Sequence, residues 1–485
     1  VKLLLLYPAI GRSDPESYEY VRTWQMVPLT MATVAAIIRR SLAGDVELAF
    51  HDQRMTPVIP FERYADYDAV LMTCETFTAR TVYQLAARFA TLGLKVVLGG
   101  YHPTLVPRES EQYADAIVVG NFEPVAHELL SDLKQGQLKR RYQGVMTPAH
   151  FTLPDRSIYA GVTTKVRGLF GERSRGYVNL NLVETDRGCP HQCSFCSIAA
   201  ATKSSYLVRP LELILEDLST LPNNNVFLVS DNLLGEPRRL RELCEGMKGM
   251  GLNWISQGTL TLAHPHNRPL LKLMADSGCL GILIGFESIR PTILKAMNKG
   301  FNAAMGDYKA LVSVIHSYGI GIYGTFIHGF GDDTPQDIRA VSDFAVELGL
   351  IIAAFNHLMP FPGTPDFARM QAAGQLDARQ ERWWLDPDYR FGEAPFAPQA
   401  MSSSALHEAT LEARRRFYSF PSAVKRLLTN PKGNLFARGR FSPVKAAAYA
   451  ALNFGGALSI GREITQKDGR PLGLAPTPVA PRVSS

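Results

Sequence analysis

The sequence predicts an α/β protein: two successive parallel-sheet units followed by a mostly helical end. Three observations carry that prediction. Short apolar runs alternate with amphipathic stretches from Val1 to Gln135, and again from Val178 to Pro360. The chain has 485 residues, too many for one ordinary domain. Its composition is that of a globular protein, 46% hydrophobic and 20% charged. No apolar run reaches the roughly 18 residues of a membrane span.

The first unit covers 1–145. Strand candidates are Val1–Tyr7, Val46–His51, Ala69–Cys74, Lys95–Gly100 and Ala116–Gly120. Helical spacing of apolar residues falls at Leu29–Ser41, Ala79–Leu92 and Pro124–Gln135. This order predicts an open Rossmann-like (flavodoxin-like) sheet with helices on both faces. Ligands of such sheets lie at the carboxyl ends of the strands. The residues there are Thr73, Gly99, Gly100, His102, Gly120 and Glu123.

A linker, 146–169, leads to the second unit, 170–370. Its strand candidates are Val178–Glu184, Val226–Asp231, Trp254–Leu260, Gly281–Ser288, Gly321–His328 and Ile352–Pro360. Helical stretches separate them, as at Leu211–Leu221, Arg268–Asp276 and Pro335–Leu348. Six such repeats predict a partial (β/α)6 barrel with its chemistry on one face. Residues 371–470 read as helical, and 471–485 as a disordered tail. The span Trp383–Phe391 is unusually aromatic, and inter-domain packing or a cover for the barrel mouth would each use it.

Charge is unevenly placed. The net charge is +6, yet residues 411–485 hold 13 Lys/Arg against 3 Asp/Glu. The remainder is therefore slightly acidic. A basic end is either solvated or attracted to an anionic membrane surface or an acidic substrate. No nucleic-acid-binding motif accompanies it, so no nucleic-acid partner is expected.

The most specific signal is Cys189-Pro190-His191-Gln192-Cys193-Ser194-Phe195-Cys196. Three thiolates so close on one loop can hold three irons of a 4Fe–4S cluster. Four cysteines are usual, so three leave one iron open to a substrate. Structural zinc needs four ligands, typically as two separated pairs, and there is no second pair here. The other cysteines, Cys74, Cys244 and Cys279, are scattered, and no secretory leader is visible, which argues against disulfides. Free cysteines and a low-potential cluster fit a reducing cytoplasm.

Cys-x3-Cys-x2-Cys after an apolar strand, ending in an aromatic residue and cysteine, resembles the radical SAM superfamily. The resemblance implies that the open iron chelates S-adenosylmethionine and that one electron releases a 5′-deoxyadenosyl radical. It also implies an electron donor such as flavodoxin or ferredoxin. Phe195 matches the aromatic position near the adenine. Asp231 and Asn232 match polar positions facing the methionine amino group, with a helix cap as the alternative. Glu287 is the candidate for the ribose hydroxyls, against a simple ion pair. Gln257 also reaches toward the cofactor. Gly363 lies in Pro362-Gly363-Thr364-Pro365, similar to an adenine-side turn of the family. On the fifth strand Tyr323, Thr325 and His328 are expected to point into the barrel, so Tyr323 and His328 are the catalytic candidates, with a hydrogen-bonded barrel histidine as the plainer reading of His328.

The first unit resembles the cobalamin-binding domain of one radical SAM subclass, although the cobalt-ligating Asp-x-His-x-x-Gly is absent. That resemblance implies methylation of carbon on a small hydrophobic substrate: a lipid, tetrapyrrole or natural product. Cyclisation, ring rearrangement or redox change are the alternatives within the subclass. A methylthiotransferase would carry three more cysteines in the first unit, where only Cys74 stands. A non-catalytic sensor would be expected to carry a signalling module, and none is evident.

Overall fold

The computed structural model describes residues 1–10, 25–43, 45–56, 61–168, 171–376 and 379–455, with Ala457, Leu472 and Pro481. The expected tail, 471–485, otherwise lies outside the described residues.

The first sheet has six parallel strands: Lys2–Tyr7, Glu47–Asp52, Ala69–Thr73, Lys95–Gly99, Ala116–Gly120 and Arg141–Gly144. Numbered along the chain, their order is 2-1-3-4-5-6. The run of leucines in the first strand explains its central place. Leu3 and Leu5 join one core with helices Leu29–Ser41 and Ala126–Lys134. Leu4 and Leu6 join another with helix Ala79–Thr91. A strand buried on both faces must be apolar at every position. The order reverses between the first and third strands, where ligand crevices form.

The second sheet is also wholly parallel. Its strands, Asn181–Glu184, Asn225–Val229, Asn253–Gly258, Cys279–Glu287, Gly321–His328 and Ile352–His357, lie side by side in chain order. The first and last strands do not pair, so the barrel is partial. Its first strand starts later than Val178 because the Val178 amide donates to the Gln25 carbonyl of the first unit, at 2.8 Å. Along each strand burial alternates. Trp254, Ile282, Ile284, Phe286, Ile322, Phe326 and Phe355 face the helices and are fully buried. The intervening residues, such as Gln257, Gly285, Tyr323 and Thr325, are only half-buried, so the concave face lines an open lumen. Between the two sheets, Thr164–Gly168 pairs antiparallel with Gly171–Arg175.

Helices Ser403–Phe417, Phe420–Thr429, Pro431–Leu435 and Pro443–Tyr449 form the end of the described chain. They bind the carbonyls that precede the barrel strands. Lys445 Nζ donates to Gly319 O at 2.8 Å, Asn430 and Asn434 to Gly349 O at 3.2 Å each, and Arg438 to Leu252 O at 3.0 Å. The helices therefore plug the amino-terminal end of the barrel. The aromatic span packs instead under the first sheet. Trp383, Trp384 and Tyr389 belong to its core, and Trp384 Nε1 donates to Glu109 at 2.9 Å.

Candidate active site

The cysteine loop leaves the carboxyl end of the first barrel strand. A two-stranded ribbon, Asp186–Gly188 with Tyr206–Val208, starts it, and helix Ser197–Thr202 ends it. Gly188 has φ +87°, and a Cβ there would lie 2.1 Å from Ser205 O, so only glycine fits this ribbon. Two segments clamp the loop. After the fourth strand, Met297 O accepts from Ser194 N at 3.0 Å, Asn298 donates to Gln192 O at 2.7 Å, and Phe301 stacks on His191 at 4.2 Å. After the sixth strand, Asp366 accepts from the Ser194 hydroxyl at 2.9 Å.

Cys189, Cys193 and Cys196 are free and half-buried, whereas Cys74, Cys244 and Cys279 are buried in the cores. Burial pushes the Cys193 thiol up to about 11. Among the described residues no three Cys, His, Asp or Glu side chains converge on a single ion. A cubane takes each thiolate on a different iron, so three separated thiols on one loop fit a 4Fe–4S cluster with one open iron.

The predicted cofactor contacts gather around this loop. Asp231 accepts from the Gly188 amide at 2.7 Å, and burial raises its carboxyl. Asn232 stands near the Cys189 sulfur and accepts from Leu234 N at 3.2 Å. No helix starts there, so these residues are not a helix cap. Gln257 donates to Ser230 O at 2.5 Å, while Phe195 rests on the barrel core. Glu287 ends the fourth strand at a register shift, with φ +62°. It pairs with Lys299 at 2.6 Å, and both are buried. Lys299 carries no sequence signal, yet its charge bears on Cys193 and Cys196. A Cβ on Gly285 would meet both partners, at 2.2 and 2.7 Å, so that glycine makes room for the pair. Gly363 has φ +79° and abuts Leu105 of the first unit.

Residues 183–345 match the radical SAM superfamily. The chain carries a radical SAM domain. Over 418 residues the protein is 29% identical to the bacteriochlorophyllide d C-12(1)-methyltransferase of Chlorobaculum tepidum, covering 84% of this chain and 85% of that one. It is 28% identical over 351 residues to the hopanoid C-2 methylase of Rhodopseudomonas palustris, covering 70% of this chain and 64% of that one. Two solved structures share the fold. One is the radical S-adenosylmethionine methyltransferase TsrM of Kitasatospora setae, with cobalamin and a 4Fe–4S cluster bound: 17% identity, TM-score 0.54, 78% and 79% coverage. The other is the cobalamin-dependent S-adenosylmethionine radical enzyme OxsB: 14% identity, TM-score 0.59, 96% and 71% coverage.

The first sheet turns its carboxyl edge toward the radical SAM domain. Arg187, between strand and cysteines, bonds Glu184 at 2.9 Å, Glu123 at 2.9 Å and Asn121 at 2.7 Å, which ties the two units. Tyr101 lies in the gap. Burial raises its phenol, and the charges of Asp231, Glu75 and Arg187 all bear on it. Its hydroxyl has no hydrogen-bond partner among the described residues. Burial also lifts the Glu75 carboxyl to about 7. Both stand in loops at the carboxyl ends of the strands, where ligands were expected, but neither was singled out, since a lone Tyr or Glu in a loop has no signature.

Two expectations are corrected. His328 lies on the helix side of its strand, not in the lumen with Tyr323 and Thr325. Three residues separate it from Thr325, an odd step that reverses the side chain. Its ring stacks on Phe355 at 6.1 Å. His102 is fully enclosed, with Nδ1 3.3 Å from Thr76 Oγ1 and Nε2 3.2 Å from Glu109, under Trp384. It is not placed to touch a ligand on the strand ends. Glu123 is taken by Arg187. Gly120 has φ +81° and needs its freedom for Gly144 O, 2.3 Å from a would-be Cβ. Thr73, Gly99 and Gly100 do stand on the carboxyl edge, beside the switch point.

Proposed function

We propose that this protein is a cobalamin-dependent radical SAM C-methyltransferase acting on a small hydrophobic molecule, a tetrapyrrole in the first instance. The observation that carries the reading is the juxtaposition of two faces. Three free, half-buried thiols stand on one loop, opposite the carboxyl edge of a flavodoxin-like sheet. The methyltransferase names of the bacteriochlorophyllide and hopanoid relatives support the reaction class.

Cys189, Cys193 and Cys196 would hold the cluster, which supplies the electron that cleaves S-adenosylmethionine to methionine and a 5′-deoxyadenosyl radical. Thr73, Gly99 and Gly100 would lie under a corrinoid, which supplies the methyl group. The chain's own residues do the rest. Asp231 and Asn232 sit beside Cys189, where a carboxylate and an amide oxygen can accept from an ammonium group. Glu287, fixed by Lys299, offers a carboxylate oxygen to the ribose hydroxyls. Tyr323 and Thr325 line the lumen, where substrate must lie within reach of the radical. The two sheets and the Arg187 tie close the gap and exclude water, which protects a reactive carbon radical. A flavodoxin or ferredoxin would deliver the electron.

The test is anaerobic incubation of the reconstituted protein with methyl-labelled S-adenosylmethionine, reductant and candidate bacteriochlorophyllides. Label should reach the tetrapyrrole, with 5′-deoxyadenosine formed alongside. If 5′-deoxyadenosine accumulates and the product is unlabelled but changed, the enzyme is a cyclase, oxidoreductase or ring-rearranging relative instead.

A further inference from the structure

Five large apolar side chains are exposed among the described residues: Val145, Phe420, Leu428, Phe441 and Val444. Four of them fall in the plug that closes the amino-terminal end of the barrel. Helix Phe420–Thr429 buries Ser422, Ala423 and Arg426 against the protein and turns Phe420 and Leu428 outward, two turns apart. Helix Pro443–Tyr449 is bound to it by Tyr449 Oη donating to Ala423 O at 2.6 Å, and Phe454, just beyond that helix, packs against Phe420 at 5.3 Å. Val444 sits on its exposed side, and Phe441 just before it.

The plug's own charge is almost wholly positive, although its Arg416 pairs with Asp343 of the barrel. Residues 411–455 hold nine Lys/Arg and a single acid, Glu412. Arg415, Lys425, Lys432 and Arg440 are exposed, and none bonds a carboxylate among the described residues. Elsewhere surface cations are commonly paired, as Arg379 is with Asp386 and Asp388. Unpaired cations interleaved with exposed aromatic and aliphatic side chains suit one environment above others. Ammonium and guanidinium groups meet lipid phosphates there while apolar side chains enter the acyl boundary.

We propose that this plug docks the protein on an anionic lipid surface. An acidic redox partner would also meet the charge, but the position disfavours it. The plug binds the amino ends of the barrel strands, and the thiols lie at their carboxyl ends. A donor there would stand a strand's length, about 20 Å, from the cluster loop. Docking by the plug leaves the barrel mouth and the first sheet free of the bilayer.

Vesicle flotation of the full chain tests this without cluster or substrate, so its outcome is independent of the methyl-transfer reading. The protein should float with phosphatidylcholine vesicles containing phosphatidylglycerol at low salt, but not with pure phosphatidylcholine. High salt should release it. The triple variant K425E/K432E/R440E should partition at least about 100-fold less, because each cation near an anionic surface contributes separately. The F420S/L428S variant should be released at lower salt than the parent. Both variants change exposed side chains, so unaltered melting confirms that each is folded. Flotation of the triple variant equal to the parent's would overturn the proposal, as would equal binding to neutral vesicles. So would a parent that ignores vesicles but is retained, through the same three cations, on an immobilised acidic flavodoxin-type protein.

Discussion

Lys299 shows what one residue can do when it is buried beside a carboxylate. Its ammonium lies 2.6 Å from Glu287 and within the field of two cluster cysteines. Lys299→Met should leave Glu287 buried and uncompensated, which costs about 3–5 kcal/mol for a pair broken on one side. Urea denaturation measures the loss, and adding Glu287→Gln should recover most of it. The cysteines make a separate prediction. Alanine at Cys189, Cys193 or Cys196 should abolish iron and sulfide incorporation, whereas Cys74→Ala should leave both intact, since Cys74 is sealed in the core of the first sheet. The trio was legible because thiolate–iron chemistry is local and three ligands share one loop. Lys299 was not, because its partner arrives through a bulge that no spacing announces. His102 failed for a related reason: its environment is made by Glu109 and by Trp384, far along the chain.

At the scale of elements, the ribbon that launches the cysteine loop depends on one glycine. Gly188→Ala would force a Cβ against Ser205 O and hold φ in the left-handed region. The strand Asp186–Gly188 should separate from Tyr206–Val208, and iron bound per chain should fall. Gly136→Ala is the control. It shares a positive φ, +70°, but a Cβ there meets nothing within 4 Å. It should cost about 1–2 kcal/mol by conformation alone and leave iron binding unchanged. Strands with apolar residues at every position, such as Leu3–Leu6, announced themselves in the sequence. Arg141–Gly144 did not. It is an edge strand whose alternate residues, Arg141 and Gln143, are solvent-facing, so four mixed residues carried no periodicity. The ending of the fifth strand misled for the opposite reason: a histidine following alternating residues looked lumenal, but the pleat had already turned it away.

The whole molecule couples these parts through buried groups that titrate in opposite senses. The parallel pairing of both sheets follows from alternating runs in the sequence, whereas the order 2-1-3-4-5-6 of the first is seen only in the structure. The plug under the barrel does not follow from those runs either, because it is made by polar side chains that seek unpaired strand-end carbonyls. Burial holds His328 at about 3 and His357 at about 4, below the ordinary histidine range. The unfolded chain then takes up protons that the folded one refuses as pH falls below about 6.5, so each histidine withdraws stability on acidification. Glu75 does the reverse. Burial lifts its carboxyl to about 7, so the folded chain keeps a proton that the unfolded chain has lost. Its ionisation therefore costs stability as pH rises from about 4.5 to about 7. With two histidines against one carboxyl, a net loss of stability on acidification remains in the parent, and single variants separate the slopes. Relative to the parent, His328→Gln should gain stability as pH falls from 6.5 toward 4, by up to about 1.4 kcal/mol per pH unit, and Glu75→Gln should gain as pH rises from 4.5 toward 7. Urea unfolding of all three proteins across pH 4 to 7.5 reads both slopes. A flat difference curve for Glu75→Gln would mean that its carboxyl ionises freely in the folded chain and does not lie in the gap between the sheets.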